Sequence, residues 1–170
     1  MQIPLVDLDD QIIGAKDRSD LDFEKDIFRT ASLWITNAEG EVLLAQRKHN
    51  KKVDPGKWAE AVGGTVEGDD SYEETVRREA EEELGLKNLV ITPGPKQFIT
   101  VPCRYFVQWY VAEVNQDISA FTVQEEEIEQ VAWIAPERLL HELKTQPEKY
   151  IPAMRDIVAL FVHGGAYGEK

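Results

Sequence analysis

The chain has a single cysteine, Cys103, among its 170 residues, so no intrachain disulfide can form and a structural zinc site with several thiolates is excluded. Basic residues are scarce too: 19 Lys and Arg stand against 32 Asp and Glu, a formal net charge of -13. A nonspecific grip on nucleic acid or anionic lipid is therefore disfavoured, although a local basic patch can still hold a small anion. No apolar run approaches the ~18 residues that cross a bilayer. The first ten residues carry three aspartates where a signal peptide needs a basic start and an apolar stretch. Internal repeats and low-complexity segments are missing as well. These absences point to a cytoplasmic protein with no nucleic-acid and no membrane partner. What is present, 42% hydrophobic residues, is enough for one packed domain spanning 1-170.

Ile3 to Asp7 and Gln11 to Ala15 flank a polar turn and predict a β-hairpin within an N-terminal extension, residues 1-28. Ala31 to Thr36 and Glu41 to Gln46 predict a second hairpin, closed by a turn that ends in Gly40. After the Asp54-Pro55-Gly56 turn come a short strand, Trp58 to Val62, and the pair Gly63-Gly64. Further strands are expected at Leu89 to Ile91, Gln97 to Val101, Arg104 to Val114 and Val131 to Ile134. Pro136 opens a helix, and Ile151 to Val162 predicts a terminal amphipathic one. The fold class is α/β, with a mixed sheet covered by helices.

The clearest helix runs from Ser71 to Leu84. Ser71 and Glu74 have the spacing of a capping box, and Gly85 stands where a left-handed residue ends a helix. At ~100° per residue, Glu79, Glu82 and Glu83 share one face, while Val76, Ala80 and Leu84 form an adjoining apolar stripe. Such a helix anchors to a sheet and presents clustered carboxylates at an open edge. Neighbouring like charges repel by tenths of a kcal/mol per pair, which a divalent cation removes. Magnesium suits the ligand set, because it prefers carboxylate and phosphate oxygens and keeps several waters. Taken alone, a glutamate run reads equally well as a solvated helix face.

The surrounding residues decide between the two. Gly64-x5-Asp70-x7-Arg78-Glu79-Ala80-Glu81-Glu82-Glu83-Leu84-Gly85-Leu86 resembles the Nudix box, GX5EX7REUXEEXGU, with Asp70 in place of the usual Glu. The resemblance, carried by residues 63-86, implies a Nudix-type α/β/α sandwich that hydrolyses a diphosphate linked to a further group X. It implies Glu79, Glu82 and Glu83 as ligands of Mg2+, with Mn2+ as a substitute, and Arg78 as the residue that holds them, partnered by Asp70. Glu79 is the candidate for orienting or deprotonating the attacking water. A further family glutamate is placed at Glu127, chosen over Glu125 and Glu126. Gly63 and Gly64 permit close backbone approach to the substrate. Arg47, Lys48, Lys51, Lys52 and Lys57 form the densest basic cluster, from which Arg47 and Lys51 are the candidates for phosphate contact. The partner is thus a small-molecule diphosphate, a nucleoside diphosphate derivative or a similar organic diphosphate. Oligomeric state is open, with a homodimer among the options.

Gln46-Arg47, Lys51-Lys52, Pro55-Gly56 and Trp58 also resemble the subgroup that contains isopentenyl-diphosphate isomerase. That enzyme's acid/base chemistry needs a Cys where this chain has Gly63, a His where it has Thr65, and a His-Arg where it has Phe28-Arg29. Isomerisation is therefore the weaker alternative. A third reading, a Nudix-fold binding module without catalysis, is opposed by the intact glutamate set. Cys103 reads as a strand-end residue, and Trp58, Phe98, Tyr105 and Trp109 as core aromatics.

Overall fold

The computed structural model describes residues 1-163, so residues 164-170 of the anticipated domain lie outside the described residues. Strands β1 (Gln2–Val6) and β2 (Ile12–Asp17) form the N-terminal antiparallel hairpin. Seven more strands build one mixed sheet: β3 (Ile27–Thr36), β4 (Val42–Arg47), β5 (Trp58–Glu60), β6 (Val62–Thr65), β7 (Thr92–Ile99), β8 (Arg104–Glu113) and β9 (Ile128–Ile134). The helices are α1 (Tyr72–Leu84), α2 (Pro136–Thr145) and α3 (Met154–Val158).

The sheet divides into two halves that meet at the β3–β4 hairpin. β3 pairs with β4 through Thr36 and Val42; farther back along its length it pairs with β6 instead, while β4 turns to β5 and β9. One half is thus β6-β3-β8-β7, in which β3 and β8 run parallel, and the other is β5-β4-β9. Trp58 to Val62 is not one strand. It ends at Glu60 on β4, crosses at Ala61, and resumes at Val62 on β3. A run of apolar residues gives no sign of that change of partner.

Each face of the sheet has its own core. Ala31, Leu33, Leu43 and Tyr110 pack with Val76, Ala80 and Leu84 of α1 on one side. On the other, Trp34, Leu44, Val107 and Trp109 pack with Leu139 and Leu143 of α2 and Met154 and Ile157 of α3. The result is the α/β/α sandwich anticipated from the sequence, with the hairpin as a separate two-stranded sheet.

Two further boundaries differ from expectation. Leu89 to Ile91 is not a strand: Leu89 and Ile91 fill the core beside α1, and the Leu89 carbonyl accepts a hydrogen bond from Arg77 Nη1 at 2.8 Å. The strand begins at Thr92 and includes Pro93 and Pro95, which β7 tolerates because it lies at the sheet edge and is bulged there. The terminal helix is shorter than Ile151 to Val162. Residues 151-153 precede α3, and Ala159–His163 adopts π-helical turns in which Phe161 stacks on Trp34 at 4.8 Å.

The hairpin is fastened to the main sheet by Asp10. Its carboxylate accepts from Arg29 Nε at 2.7 Å and from the Tyr72 hydroxyl at 3.0 Å, and it pairs with the Lys96 ammonium. Arg29 and Lys96 also lie over the Tyr72 ring, at 5.2 and 4.9 Å from its centroid. Desolvation alone would raise the Asp10 pKa, but Lys96, Arg29 and Tyr72 together hold it below the usual carboxylate range.

Candidate active site

Helix α1 begins and ends where its caps dictate. The Ser71 hydroxyl accepts from the Glu74 N–H at 3.2 Å and the Glu74 carboxylate accepts from the Ser71 N–H at 2.8 Å, closing the capping box. At the other end Gly85 is left-handed, with φ 70°, and its N–H donates to the Glu81 carbonyl. Thus fixed, α1 packs its apolar stripe on β3 and β6 and brings its acidic face to the Gly63-Gly64 pair of strand β6.

Glu79 and Glu83 are the inward members of that face. The Glu79 side chain keeps only 15% of its surface, and a Cβ at Gly64 would overlap its carboxyl group, so a larger residue there would displace Glu79. Glu83 accepts a hydrogen bond from the Gly63 N–H at 3.2 Å. Glu82 stands at the rim, 51% exposed. Arg78 braces the set: Nη1 lies 2.8 Å from Glu79 Oε1 and 3.5 Å from Glu82 Oε2, and Nε lies 3.4 Å from Asp70 Oδ2. Asp70, one methylene shorter than the glutamate of the box, still reaches the guanidinium, although at a long distance.

The carboxylates have less positive charge around them than they need. Burial pushes Glu83 up to about 8, and the charge of Glu79 adds to the shift, with Glu60 and Glu127 contributing less. Glu79 is also raised, by burial first and by Glu82, against the opposing pull of Arg78. Burial is the first cause of both shifts, and a neighbouring carboxylate adds to each. Among the described residues no group of three or more His, Cys, Asp or Glu side chains is gathered closely enough to hold a metal ion by itself, Glu79, Glu82, Glu83 and Glu127 included. A hard divalent ion that retains waters and shares substrate oxygens does not need so close a group. The donor set fits such an ion.

Glu127 and Lys51, expected to serve metal and substrate respectively, form an ion pair with each other. Three of the other four loop cations are likewise engaged: Lys48 with Glu129 at 3.2 Å, Lys57 with Asp54 at 3.2 Å, and Arg47 Nε with the Val53 carbonyl at 3.1 Å. Arg47 is near enough to the site to oppose the upward shift of Glu60. His49 packs its ring against Gly56.

The positions that the isomerase would fill with Cys and His are Gly63 and Thr65 of β6, and Phe28 of β3 stacks on Tyr105 at 5.6 Å. None carries a thiol or imidazole. Sequence reasoning missed Glu60, whose carboxyl lies between Ser32 and Gly63. Its signal was present, as a lone charge within the apolar run from Trp58 to Val62.

The architecture recurs in solved structures. A protein from Deinococcus radiodurans superposes with a TM-score of 0.80 at 24% identity, covering 93% of this chain and 97% of that one. A MutT protein from Methanosarcina mazei gives 0.66 at 25% identity, over 81% and 94% of the two chains. In sequence the chain is 29% identical to an uncharacterized Nudix hydrolase of Pseudomonas aeruginosa, over 94% of this chain and 92% of the relative. It is also 29% identical to a prenyl-diphosphate phosphatase of Methanosarcina mazei, over 94% of each. Residues 27–159 match the model of the NUDIX domain, and with the box helix docked on the glycine pair of β6 the chain belongs to the Nudix family, as a hydrolase of diphosphate linkages.

Proposed function

We propose that this hydrolase cleaves the diphosphate linkage of a nucleoside diphosphate derivative or a similar organic diphosphate, with Mg2+ as its ion and Mn2+ as a substitute. The observation that carries the reading is the convergence of Glu79 and Glu83 on the Gly63-Gly64 backbone. Glu79, Glu82 and Glu83, with Glu127 behind them, are the residues to hold the ion. When bound, Mg2+ neutralises the diphosphate oxygens and acidifies a water.

The protein's own groups do the rest. Arg78 fixes the Glu79 carboxylate, which takes a proton from the attacking water as the water oxygen bonds to phosphorus and the bridging P–O bond breaks. Lys51, exchanging Glu127 for phosphate, and Arg47, exchanging the Val53 carbonyl, meet the phosphate oxygens, and the Gly63 and Gly64 backbone lets the diphosphate approach closely. The likeness to a prenyl-diphosphate phosphatase extends the candidates for X from nucleosides to isoprenoid chains. A chain with one unpaired cysteine is suited to the cytoplasm, and no helix among the described residues is long and apolar enough to cross a membrane.

The test is a panel of nucleotide, sugar and isoprenoid diphosphates incubated with Mg2+ and scored for phosphate after phosphatase coupling. Turnover of at least one substrate, lost on chelation, is expected. Ligand binding without cleavage across the panel would instead leave a binding module. Interconversion of isopentenyl and dimethylallyl diphosphate is expected to be undetectable.

A further inference from the structure

The groups that read X must lie beyond the glutamates of α1, and Gly63 marks where to look. Its N–H faces Glu83, while a Cβ on it would meet Ser32 Oγ at 3.0 Å and Glu60 Oε1 at 3.3 Å. Glu60 therefore stands just across one glycine from the carboxylates that act on the diphosphate. It alternates with Ala59 in β5, so it shares a side of the sheet with Trp58. Tyr105 lies on that side as well, near enough for the Glu60 charge to raise its hydroxyl pKa after burial and Cys103 have done so. Tyr105 stacks on Phe28, and the exposed Phe23 meets Phe28 edge-on at 6.2 Å. An aromatic wall thus borders the carboxyl.

Glu60 itself is unfinished. The residue is only partly buried, yet its Oε2 is sealed from solvent and has no hydrogen-bond partner. Native proteins rarely leave a polar atom so, and where they do the missing partner is the point of interest. The terminal torsion of a glutamate is soft, so the free oxygen can be re-aimed at small cost.

We propose that Glu60 selects the substrate by accepting a hydrogen bond from an N–H or O–H donor on X, beside the Tyr105 and Phe28 rings. The proposal rests on the diphosphate-hydrolase reading above. A donor-bearing X gives the free oxygen of the carboxyl group its partner, whereas a wholly apolar X leaves it unpaired, and sites built to hydrogen-bond a substrate reject analogues that lack the group. The chain then departs in specificity from a relative that acts on prenyl diphosphates.

The experiment compares kcat/KM for the four nucleoside diphosphates, whose bases all carry N–H donors, with that for geranyl diphosphate, in wild type, Glu60→Leu and Glu60→Gln. Wild type is expected to favour at least one nucleoside diphosphate. Glu60→Leu should cut that preference by about tenfold or more, through loss on the nucleotide alone, and Glu60→Gln, which keeps an acceptor, should retain part of it. Mn2+ binding to the substrate-free proteins, read by calorimetry, should be the same in all three, and Glu60→Leu should melt no lower than wild type. An unchanged preference in Glu60→Leu overturns the proposal, as does a wild type that prefers geranyl diphosphate. A tenfold loss of Mn2+ affinity does so too, since Glu60 would then serve the ion. If wild type cleaves no diphosphate, the hydrolase reading fails separately. Calorimetric binding of α,β-methylene nucleoside diphosphates then decides, with equal affinity in wild type and Glu60→Leu counting against selection by Glu60.

Discussion

Asp10 and Glu83 are both carboxylates withdrawn from water, and their neighbours treat them in opposite ways. Asp10 is surrounded by Arg29, Lys96 and Tyr72, and these partners keep it ionised despite burial. Glu83 has one backbone N–H and, around it, Glu79, Glu60 and Glu127. The first arrangement is complete in the folded chain alone. The second leaves like charges facing one another, which suits the ion-binding role proposed for it.

The largest test of this contrast is to remove the completed carboxylate. Asp10→Ala strands Arg29 and Lys96 and should cost about 3–5 kcal/mol in urea denaturation, with turnover retained in the folded fraction. Its pH dependence has a fixed sign. The folded pKa of Asp10 is depressed, so its contribution is fully present above the unfolded value and disappears as pH falls through the folded one. Wild type and Asp10→Asn should therefore differ most at neutral pH and converge below about pH 4. Divergence on acidification would contradict the sign.

Changes in the incomplete site should do the reverse. Glu83→Gln, and Glu82→Gln at the rim, should each lower turnover by more than ~100-fold, about 2.7 kcal/mol in the barrier, with no loss of melting temperature. Wild-type turnover in either variant would reject the site. Smaller still is the effect of the ion on stability: Mg2+ at about ten times its Kd should stabilise wild type and Asp10→Ala alike by about 1.4 kcal/mol, and Glu83→Gln by less. Smallest is Ser71→Ala, which removes the α1 cap and should cost about 1 kcal/mol.

The same contrast explains what the sequence could reveal. Helix α1, its caps and its carboxylate face were legible because every signal lies within residues 71-85 and follows a 3.6-residue period. The Asp10 cluster was not, since its partners stand 19, 62 and 86 residues away along the chain. Nor was the Lys51 to Glu127 pair, 76 residues apart, which the sequence presented as two independent candidates. Glu60 was visible as a charge in an apolar strand, but only the crossing at Ala61 shows which side it faces. Strand limits erred at Leu89 and at Trp58 to Val62, where core packing and a change of pairing partner overrode local preference.

The crossing at Ala61 has a mechanical consequence. A single residue joins Glu60, held by one half of the sheet, to Val62 and Gly63, held by the other. A change in the splay of the halves would be taken up at that joint, and would shift the group proposed to face X against the groups proposed to face the diphosphate. Substitutions distant from both, along the β3–β4 seam at Thr36 and Val42, thereby act as adjusting screws on the distance between recognition and chemistry.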